Sequence, residues 1–157
     1  MVKGSLLNHL SDATFELAGT QYSIESSIKV DENSTIESVA LEYLNAPYLW
    51  GGRTPFGIDC SGFTQLVFRF FDVQLKRDAS QQIHQGEVIS FDRIEKNDVV
   101  FFENSKGNIA HVGIYLGDHK IIHAHGEVRI DTLSIDGITN SESKALSHVF
   151  SGIRRYL

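Results

Sequence analysis

Apolar residues recur at helical spacing in the first half of the chain. They do so from Ile36 to Leu44, directly after the run Ser34–Glu37, which fits a capping box, and this predicts a helix at about 35–45. A second apolar stripe, from Phe63 to Phe70, predicts a helix that begins near Cys60. Two helices are therefore expected between residues 35 and 70.

Shorter apolar runs, separated by turn residues, follow from residue 98 onward. The close spacing of the turns favours an antiparallel meander. Helices first and a sheet afterwards indicate an α+β domain. The predicted strands are Val99–Phe102, His111–Leu116, Lys120–Ala124, Val128–Leu133 and a final strand within Gly152–Leu157. A short helix is also predicted between Asp78 and Gly86.

The first 34 residues are predicted to form an extension outside this domain. Apolar residues alternate on both sides of Ala18-Gly19-Thr20, which predicts a β-hairpin at 13–25, and residues 26–33 have the polar composition of a linker. The remaining residues, 35–157, are enough for a single hydrophobic core. We therefore expect an extension at 1–34 and one domain at 35–157.

Composition and charge narrow the class of protein. The formal net charge of -6 argues against a basic surface that would bind nucleic acid or anionic lipid. No apolar run approaches the roughly 20 residues that span a bilayer. The short Leu6-Leu7 stretch falls below the roughly 7–15 apolar residues of a signal peptide. We expect a monomer without membrane insertion, cytoplasmic as written, or periplasmic or secreted if the N-terminus is truncated.

The single cysteine, Cys60, lies where a loop containing glycine and proline meets the start of a predicted helix. A helix N-terminus presents free N–H groups and a partial positive charge, which stabilise a thiolate and lower the pKa of the thiol. The same N–H groups can hold an oxyanion. A cysteine buried for packing lies more often within the apolar stripe, which begins here at Phe63. Cys60 is therefore interpreted as a nucleophile.

A thiol nucleophile needs a general base, and two histidines are suitably placed. His111 begins one predicted strand and His123 lies in the next. Counting outward from the turn at 117–118 places His111 within a residue or two of Ala124, so the two histidines are expected to be cross-strand neighbours. Two alternatives are a pair of structural histidines and a zinc site with Cys60. The zinc alternative lacks the short chelating pair that zinc sites usually contain.

Several short motifs occur in one order over about residues 35–135. They are Tyr48-Leu49-Trp50-Gly51-Gly52, Gly57-Ile58-Asp59-Cys60-Ser61-Gly62-Phe63, Arg77-Asp78, Asp98-Val99-Val100-Phe101-Phe102, His111-Val112-Gly113-Ile114-Tyr115-Leu116-Gly117 and Ile122-His123-Ala124. Together they resemble the NlpC-type papain-like cysteine peptidases of bacterial cell walls. The resemblance implies a papain-like α+β fold, in which the nucleophile begins a helix that packs on an antiparallel sheet carrying the two histidines.

The resemblance also implies catalytic roles. Cys60 matches the nucleophile of the family, His111 its general base, and His123 the polar residue that orients the base. Tyr48 matches a tyrosine whose hydroxyl helps to hold the oxyanion. No metal or other cofactor is implied.

One subgroup of the family cleaves the bond between γ-D-glutamate and the following diamino acid of murein peptides, and this chain is most similar to it. Asp59 and Ser61 match positions that grip the free N-terminal amine of the substrate there. We also assign Asp78 and Trp50 to substrate binding. The implied reaction is hydrolysis of that amide bond through a thioester acyl-enzyme.

The chain departs from the subgroup in two places. Members usually carry small β-barrel domains before the catalytic domain, whereas only about 34 residues precede the first catalytic helix here, so the hairpin at 13–25 is interpreted as a remnant of a barrel. His125 stands where a small residue is expected. The remaining histidines lie in polar or turn sequence and are predicted to be surface residues, namely His9, His84, His119 and His148.

Two other classes of function are open at this point. The first is a weak or inactive module of the same fold that binds murein peptide without cutting it. The presence of Cys60, His111, His123 and Tyr48 argues against this reading. The second is a thiol acyltransferase of related fold that acts on lipids, and the absence of a membrane anchor in the sequence counts against it.

Overall fold

Strands from the second half of the chain form the centre of the structure, and a helix packs against them. The computed structural model describes residues 8–11, 14–23 and 33–157, with side chains for all of these except 8–11. The three α-helices are α1 (Ile36–Leu41), α2 (Cys60–Arg69) and α3 (Ala79–Gln82), and a 3₁₀ turn spans Phe91–Arg93. Within the described residues, no helix is long and apolar enough to cross a membrane.

The first helix begins close to the predicted residue but with a capping box of Thr35 and Ser38 instead of Ser34 and Glu37, and it ends early. Thr35 is the N-cap, and its hydroxyl accepts a hydrogen bond from the Ser38 amide at 3.1 Å. After α1 the amide of Tyr43 donates to the carbonyl three residues before it, and Asn45 adopts a positive φ of 66°. The helix predicted at 35–45 is therefore shorter than expected, because the chain tightens and turns toward Pro47.

The amino-terminal strands pair only with one another in the described sheets. Strands β1 (Asn8–Ser11), β2 (Thr14–Leu17) and β3 (Thr20–Ser23) form a three-stranded antiparallel sheet. Ala18 and Gly19 both have positive φ, which suits the tight turn of the predicted hairpin. The hairpin thus occurs within 14–23, while the ends of the prediction at 13, 24 and 25 and the linker at 26–32 lie outside the described residues. The barrel-remnant interpretation stays a prediction.

The main sheet is antiparallel and closes on itself. Its strand order is β11-β10-β9-β8-β7-β12-β6, and β11 also pairs with β12, so six strands form a ring with β6 added outside. A separate two-stranded hairpin, β4 with β5, lies in the loop before α2. The strands are β4 (Arg53–Thr54), β5 (Gly57–Ile58), β6 (Glu87–Ile89), β7 (Val99–Glu103), β8 (Ile109–Gly117), β9 (Lys120–His125), β10 (Glu127–Ser134), β11 (Gly137–Thr139) and β12 (Leu146–Arg155).

The four apolar strands predicted from the sequence are confirmed as β7 to β10. The last strand is longer than predicted, because β12 begins at Leu146 instead of at about Gly152. Strands β6 and β11 were not predicted. Most residues of β6 and of the first half of β12 are exposed or half-buried, so these segments lack the strong apolar alternation that reveals a buried strand.

Two apolar layers lie on the two faces of the sheet. One layer joins the helices to the sheet, and α2 contributes Phe63, Leu66 and Val67 to it, all buried. The other fills the inside of the strand ring with residues such as Phe102 and Ile121. Full burial of one such side chain stabilises the fold by about 1.5–3 kcal/mol. This packing fixes the first turn of α2 against β8 and β9.

The register of β8 and β9 lies within the predicted range. Gly113 pairs with His123, so His111, two residues before Gly113 on β8, is a diagonal neighbour of His123 on the same face. A Cβ atom on Gly113 would lie 2.9 Å from the Cβ of His123 and 3.0 Å from the Ile121 side chain. Glycine at 113 therefore leaves the space that the His123 side chain occupies.

We expect Gly113→Ala to destabilise the protein by about 1–3 kcal/mol, because the added methyl group must displace His123 or Ile121. Gly152→Ala is the matched control, since a Cβ there meets Ile83 at 3.6 Å, an ordinary contact. It should change the free energy of unfolding by less than about 1 kcal/mol. Chemical denaturation of the two variants measures both values. Equal losses would contradict the steric explanation for Gly113.

Candidate active site

The N-terminus of α2 is tied to the loop before it by one carboxylate. Cys60 is the first residue of α2, and Asp59 is its N-cap. The Asp59 carboxylate accepts hydrogen bonds from the Gly62 amide at 2.6 Å and from the Gly51 amide at 2.8 Å. A Cβ atom on Gly62 would lie 2.5 Å from the Gly52 carbonyl oxygen. The loop and the first helical turn are therefore packed as one unit, which holds Cys60 in place.

Asp59 is also paired with an arginine from the segment before α3. The Arg77 guanidinium donates to both Asp59 oxygens, at 3.0 and 2.5 Å, and to the Ser61 hydroxyl at 3.0 Å. Burial raises the pKa of Asp59, but the hydrogen bonds from Arg77, Gly62 and Gly51 outweigh it and leave the pKa below its usual value. Asp59 is therefore ionised at neutral pH, and its charge is matched by Arg77.

The Cys60 thiol is buried, with 6% of the residue exposed. Burial raises its pKa to about 11, and the charge of Asp59 adds to the rise, while hydrogen bonds from the backbone amides of Ser61 and Val112 act in the opposite direction. The prediction that the helix N-terminus lowers the pKa of the thiol is therefore wrong for the resting site. The contact with the Val112 amide places the sulfur beside the start of β8, next to His111.

His111 is the first of three side chains joined by hydrogen bonds, which we call the relay. His111 Nε2 lies 2.7 Å from His123 Nδ1, and His123 Nε2 lies 3.0 Å from Asp131 Oδ2. Asp131 is held in turn by Arg129 Nε at 3.1 Å and by the Ser141 amide at 2.8 Å. The relay thus runs from the thiol region, through β9, to a buried carboxylate on β10.

The charge state of Asp131 determines the tautomers of both histidines. Burial raises the pKa of Asp131, but the hydrogen bonds from His123 and Ser141 lower it far below its usual value, so the carboxylate is ionised and can only accept. His123 must then donate from Nε2, which leaves Nδ1 to accept from the Nε2–H of His111. The lone pair of His111 is consequently on Nδ1, where it can take a proton.

Both relay histidines are neutral near pH 7. The pKa of His111 is well below its usual value because of burial, followed by the proximity of His123, His148 and His125. Burial also lowers the pKa of His123, although Asp131 opposes that effect. The resting site therefore combines a protonated thiol with an unprotonated base.

Asp131 was missed by the sequence analysis, although a signal for it exists. It lies in the middle of a strand that was predicted correctly, and it is 3% exposed between half-buried Ile130 and exposed Thr132. A carboxylate at an inward position of a strand is costly unless it is paired, so an aspartate in the middle of a predicted buried strand indicates a buried partner. The sequence does not say which side chain that partner is.

A cleft lies beside the relay, between β8, β9 and the start of β12. Tyr48 forms one wall; its amide donates to the Gly126 carbonyl at 2.9 Å, and burial, followed by the charges of Cys60 and Asp59, raises the pKa of its hydroxyl. The lining residues are Tyr48, Glu103, Asn104, Ala110, His111, Ala124, His125, Ser147 and His148.

The other predicted substrate-binding residues do not line this cleft. The Trp50 residue is 84% exposed on the loop before α2. Asp78 is exposed at the N-cap of α3, next to Arg77. Ser61 is buried and donates to Asp59 at 3.3 Å. The structure therefore brings together Tyr48, Cys60, His111 and His123, and it places Asp59 and Ser61 behind the thiol in the first turn of α2.

The prediction that His148 is a surface residue was wrong. Its ring stacks on that of His111, with centroids 4.0 Å apart, and burial lowers its pKa to about 4. It lies in the part of β12 that the sequence did not predict. His84 and His119 are exposed as predicted, and the side chain of His9 lies outside the described residues. His125 is exposed at the cleft, with its ring 4.8 Å from that of His148.

Three of these histidines form the group best placed to hold a metal ion. His111, His123 and His148 each offer one ring nitrogen, and the three atoms lie within 4.8 Å of one another. Cys60 is not part of this group, so the geometry differs from the zinc alternative of the sequence analysis. We call the group the three-histidine cluster.

Known proteins resemble this chain in sequence. The sequence model of the NlpC/P60 family matches residues 45–147. A γ-D-glutamyl-L-lysine dipeptidyl-peptidase of Bacillus cereus is 31% identical over 144 residues, covering 88% of this chain and 41% of that protein. A protein of the same name from Bacillus subtilis is 42% identical over 84 residues, covering 52% of this chain and 28% of that protein. The chain thus spans less than half the length of both relatives.

A solved structure also resembles this chain. The crystal structure of an NlpC/P60 family protein from Bacillus cereus matches with a TM-score of 0.69 at 26% identity. The match covers 96% of this chain and 53% of that one. The similarity therefore includes nearly the whole chain.

We expect Asp131→Asn to lower the pKa of His123 further, because it removes the negative charge that favours the imidazolium. The variant should also loosen the tautomer preference of His123, since an amide can either donate or accept. Nitrogen-15 NMR of the ring nitrogens against pH reports both effects. The exposed Asp136→Asn is the control and should leave His123 unchanged. A raised His123 pKa in Asp131→Asn would contradict the assignment.

Proposed function

Since the chain belongs to the NlpC/P60 family, we propose that it is a cysteine peptidase that hydrolyses the bond between γ-D-glutamate and the diamino acid of murein peptides. The observation that carries the proposal is a buried thiol at the start of α2 that accepts a hydrogen bond from the Val112 amide, while the residue before Val112 begins the His111–His123–Asp131 relay. A structural histidine pair would not require an ionised carboxylate behind it or a cleft in front of it.

The proposed reaction uses Cys60 as the nucleophile and His111 as the base. His111 Nδ1 takes the thiol proton, and the sulfur attacks the carbonyl carbon of γ-D-glutamate. The amine of the diamino acid leaves with the proton from His111, and a thioester remains on Cys60. Water then attacks the thioester and gives a proton to His111, which passes that proton to the Cys60 sulfur as the thiolate leaves and the acid is released. The proton balance closes, since His111 is neutral at the start and at the end.

The rest of the relay supports the base during this cycle. When His111 becomes an imidazolium, His123 accepts its Nε2–H at 2.7 Å and Asp131 supplies the balancing charge behind His123. The thiol and the imidazole are both neutral at rest, so the ion pair forms only as the reaction proceeds. His123 and Asp131 act as positioning residues in this proposal.

Two sources of hydrogen bonds can stabilise the oxyanion. The amides in the first turn of α2 lie beside Cys60, and the Tyr48 hydroxyl forms part of the cleft wall. Because the raised pKa of Tyr48 keeps its hydroxyl protonated at neutral pH, it can donate. We propose both as oxyanion donors.

The substrate assignment rests on similarity and on chemistry near the thiol. The two relatives from Bacillus cereus and Bacillus subtilis are named for the γ-D-glutamyl-L-lysine bond. Asp59 is ionised and Ser61 lies beside it, which suits the free amine of an N-terminal L-alanine. Trp50 and Asp78 lie on exposed surfaces, where they would contact more distant parts of a substrate.

The alternative of a module that binds murein peptide without cutting it makes a different prediction. It requires binding without new products, whatever residue stands at position 60. Mass spectrometry of products formed from defined murein tri- and tetrapeptides therefore distinguishes the two functions directly.

We expect the unaltered chain to split the γ-D-glutamyl bond of these peptides. Cys60→Ser should fold normally and lose nearly all activity, because a hydroxyl near neutral pH is a far weaker nucleophile than a thiolate. His111→Ala should be equally inactive, while His123→Gln should keep part of the activity, since the amide oxygen can accept from His111. The exposed His84→Gln is the control. Comparable turnover by Cys60→Ser would rule out the mechanism.

Acetylation of the substrate amine tests the proposed amine site without disturbing the N-cap of α2. We expect L-Ala-γ-D-Glu-diamino acid to be cut at least about tenfold faster, in kcat/KM, than its N-acetylated form, which corresponds to about 1.4 kcal/mol. Rates for both peptides with the same enzyme measure the effect. Equal rates would mean that the hydrogen bonds from Arg77 and from the first turn of α2 leave Asp59 no capacity to bind the substrate amine. They would also favour longer wall strands as the substrate.

A further inference from the structure

We infer that the three-histidine cluster, His111, His123 and His148, is a binding site for a borderline divalent transition-metal ion such as Zn²⁺, and that the bound ion switches the peptidase off. The inhibition rests on the proposed function, whereas the binding does not. The three ring nitrogens lie within 4.8 Å of one another, on two neighbouring strands and on β12. No short chelating motif in the sequence reveals them.

The hydrogen bonds around His123 already have the form of a metal ligand with its support. His123 donates from Nε2 to Asp131 Oδ2 at 3.0 Å, so its Nδ1 lone pair faces His111. Ligating histidines characteristically donate their second N–H to a carboxylate in this way, which fixes the tautomer and makes the ligand nitrogen more basic. Asp131 would therefore orient His123 toward a bound ion in the same way as it orients His123 toward His111.

The hydrogen bonds around His148 free a lone pair as well. His148 Nδ1 lies 2.9 Å from Ser147 Oγ, and that hydroxyl donates its own hydrogen to the Ile138 carbonyl at 3.1 Å. Ser147 Oγ therefore accepts from the Nδ1–H of His148, which leaves the lone pair of His148 on Nε2. His148 lines the cleft, so an ion can reach the cluster from solvent.

The rings must turn to complete the site, because His148 stacks on His111 with the ring planes 23° apart, whereas both lone pairs must point at one ion. Zn²⁺ binds histidine nitrogens at about 2.0–2.1 Å, so the nitrogens of a tetrahedral site lie about 3.3 Å apart. The 2.7 Å contact between His111 and His123 must open, and the longest separation of 4.8 Å must close. Three imidazole ligands leave the fourth position for water on the cleft side. Such a donor set selects Zn²⁺, Cu²⁺ or Ni²⁺ over Mg²⁺ or Ca²⁺, which prefer oxygen ligands.

Metal binding and catalysis exclude each other because both use His111. Coordination through His111 Nε2 needs the lone pair there, so the proton of that ring must move to Nδ1. With Nδ1 protonated, His111 no longer accepts the proton of Cys60. The ion also takes the Nδ1 lone pair of His123, which breaks the relay.

Isothermal titration of the full chain with ZnCl₂ measures binding without any need for activity. We expect one Zn²⁺ per chain, a loss of affinity of at least tenfold in His148→Ala, and no change in His84→Ala, which removes an exposed histidine outside the cluster. Cys60→Ser should bind as tightly as the unaltered chain. Unchanged affinity in His148→Ala, or loss of binding in Cys60→Ser, would overturn the three-histidine site, the latter in favour of a thiolate–histidine site.

Peptide cleavage by the unaltered chain then tests the inhibition. One equivalent of bound Zn²⁺ should reduce the rate at least tenfold, EDTA should restore it, and Mg²⁺ at the same concentration should have no effect. Full activity with Zn²⁺ bound would overturn the inhibition. If the metal-free chain cuts no peptide while titration still shows the histidine-dependent site, the proposed function fails and the metal site stands.

Discussion

Asp131 carries a negative charge in the interior, and several features of the site depend on how that charge is satisfied. Its two oxygens accept from His123, Arg129 and the Ser141 amide. An ionised carboxylate cannot donate, so each proton along the relay has one possible place. The direction of both imidazoles, and the position of the lone pair on His111, follow from this one group on a neighbouring strand.

A second buried carboxylate, that of Asp59, positions the nucleophile. Asp59 joins the loop at Gly51 to the first turn of α2 and is balanced by Arg77, just as Arg129 balances Asp131. Each carboxylate thus holds one member of the thiol–imidazole pair through backbone or ring contacts. Because both are matched by arginine, their charges are stabilised at depth, where an unpaired carboxylate would be costly.

The burial that orders the site also sets its resting state. Removing Cys60 and His111 from water disfavours the charged form of each, so the neutral pair is the stable one before substrate arrives. Each neutral imidazole has one free lone pair, and three imidazoles, those of His111, His123 and His148, converge at the cleft. The same environment that makes His111 a base therefore makes the cluster a potential ligand set, and the two uses exclude each other because they need opposite tautomers of the His111 ring.

Local patterns in the sequence were sufficient to predict the apolar stripe of α2 and the strands β7 to β10, and to select Cys60, His111 and His123 as candidate site residues. Periodicity and short motifs depend on neighbours along the chain. The contacts that bring Asp131 and His148 into the site depend on the tertiary structure. Asp131 has a partner on another strand, and His148 reaches His111 only because β12 pairs with β7 and lies across the cleft. The thiol pKa was also decided there: a helix N-terminus lowers it locally, but burial by distant residues raises it more.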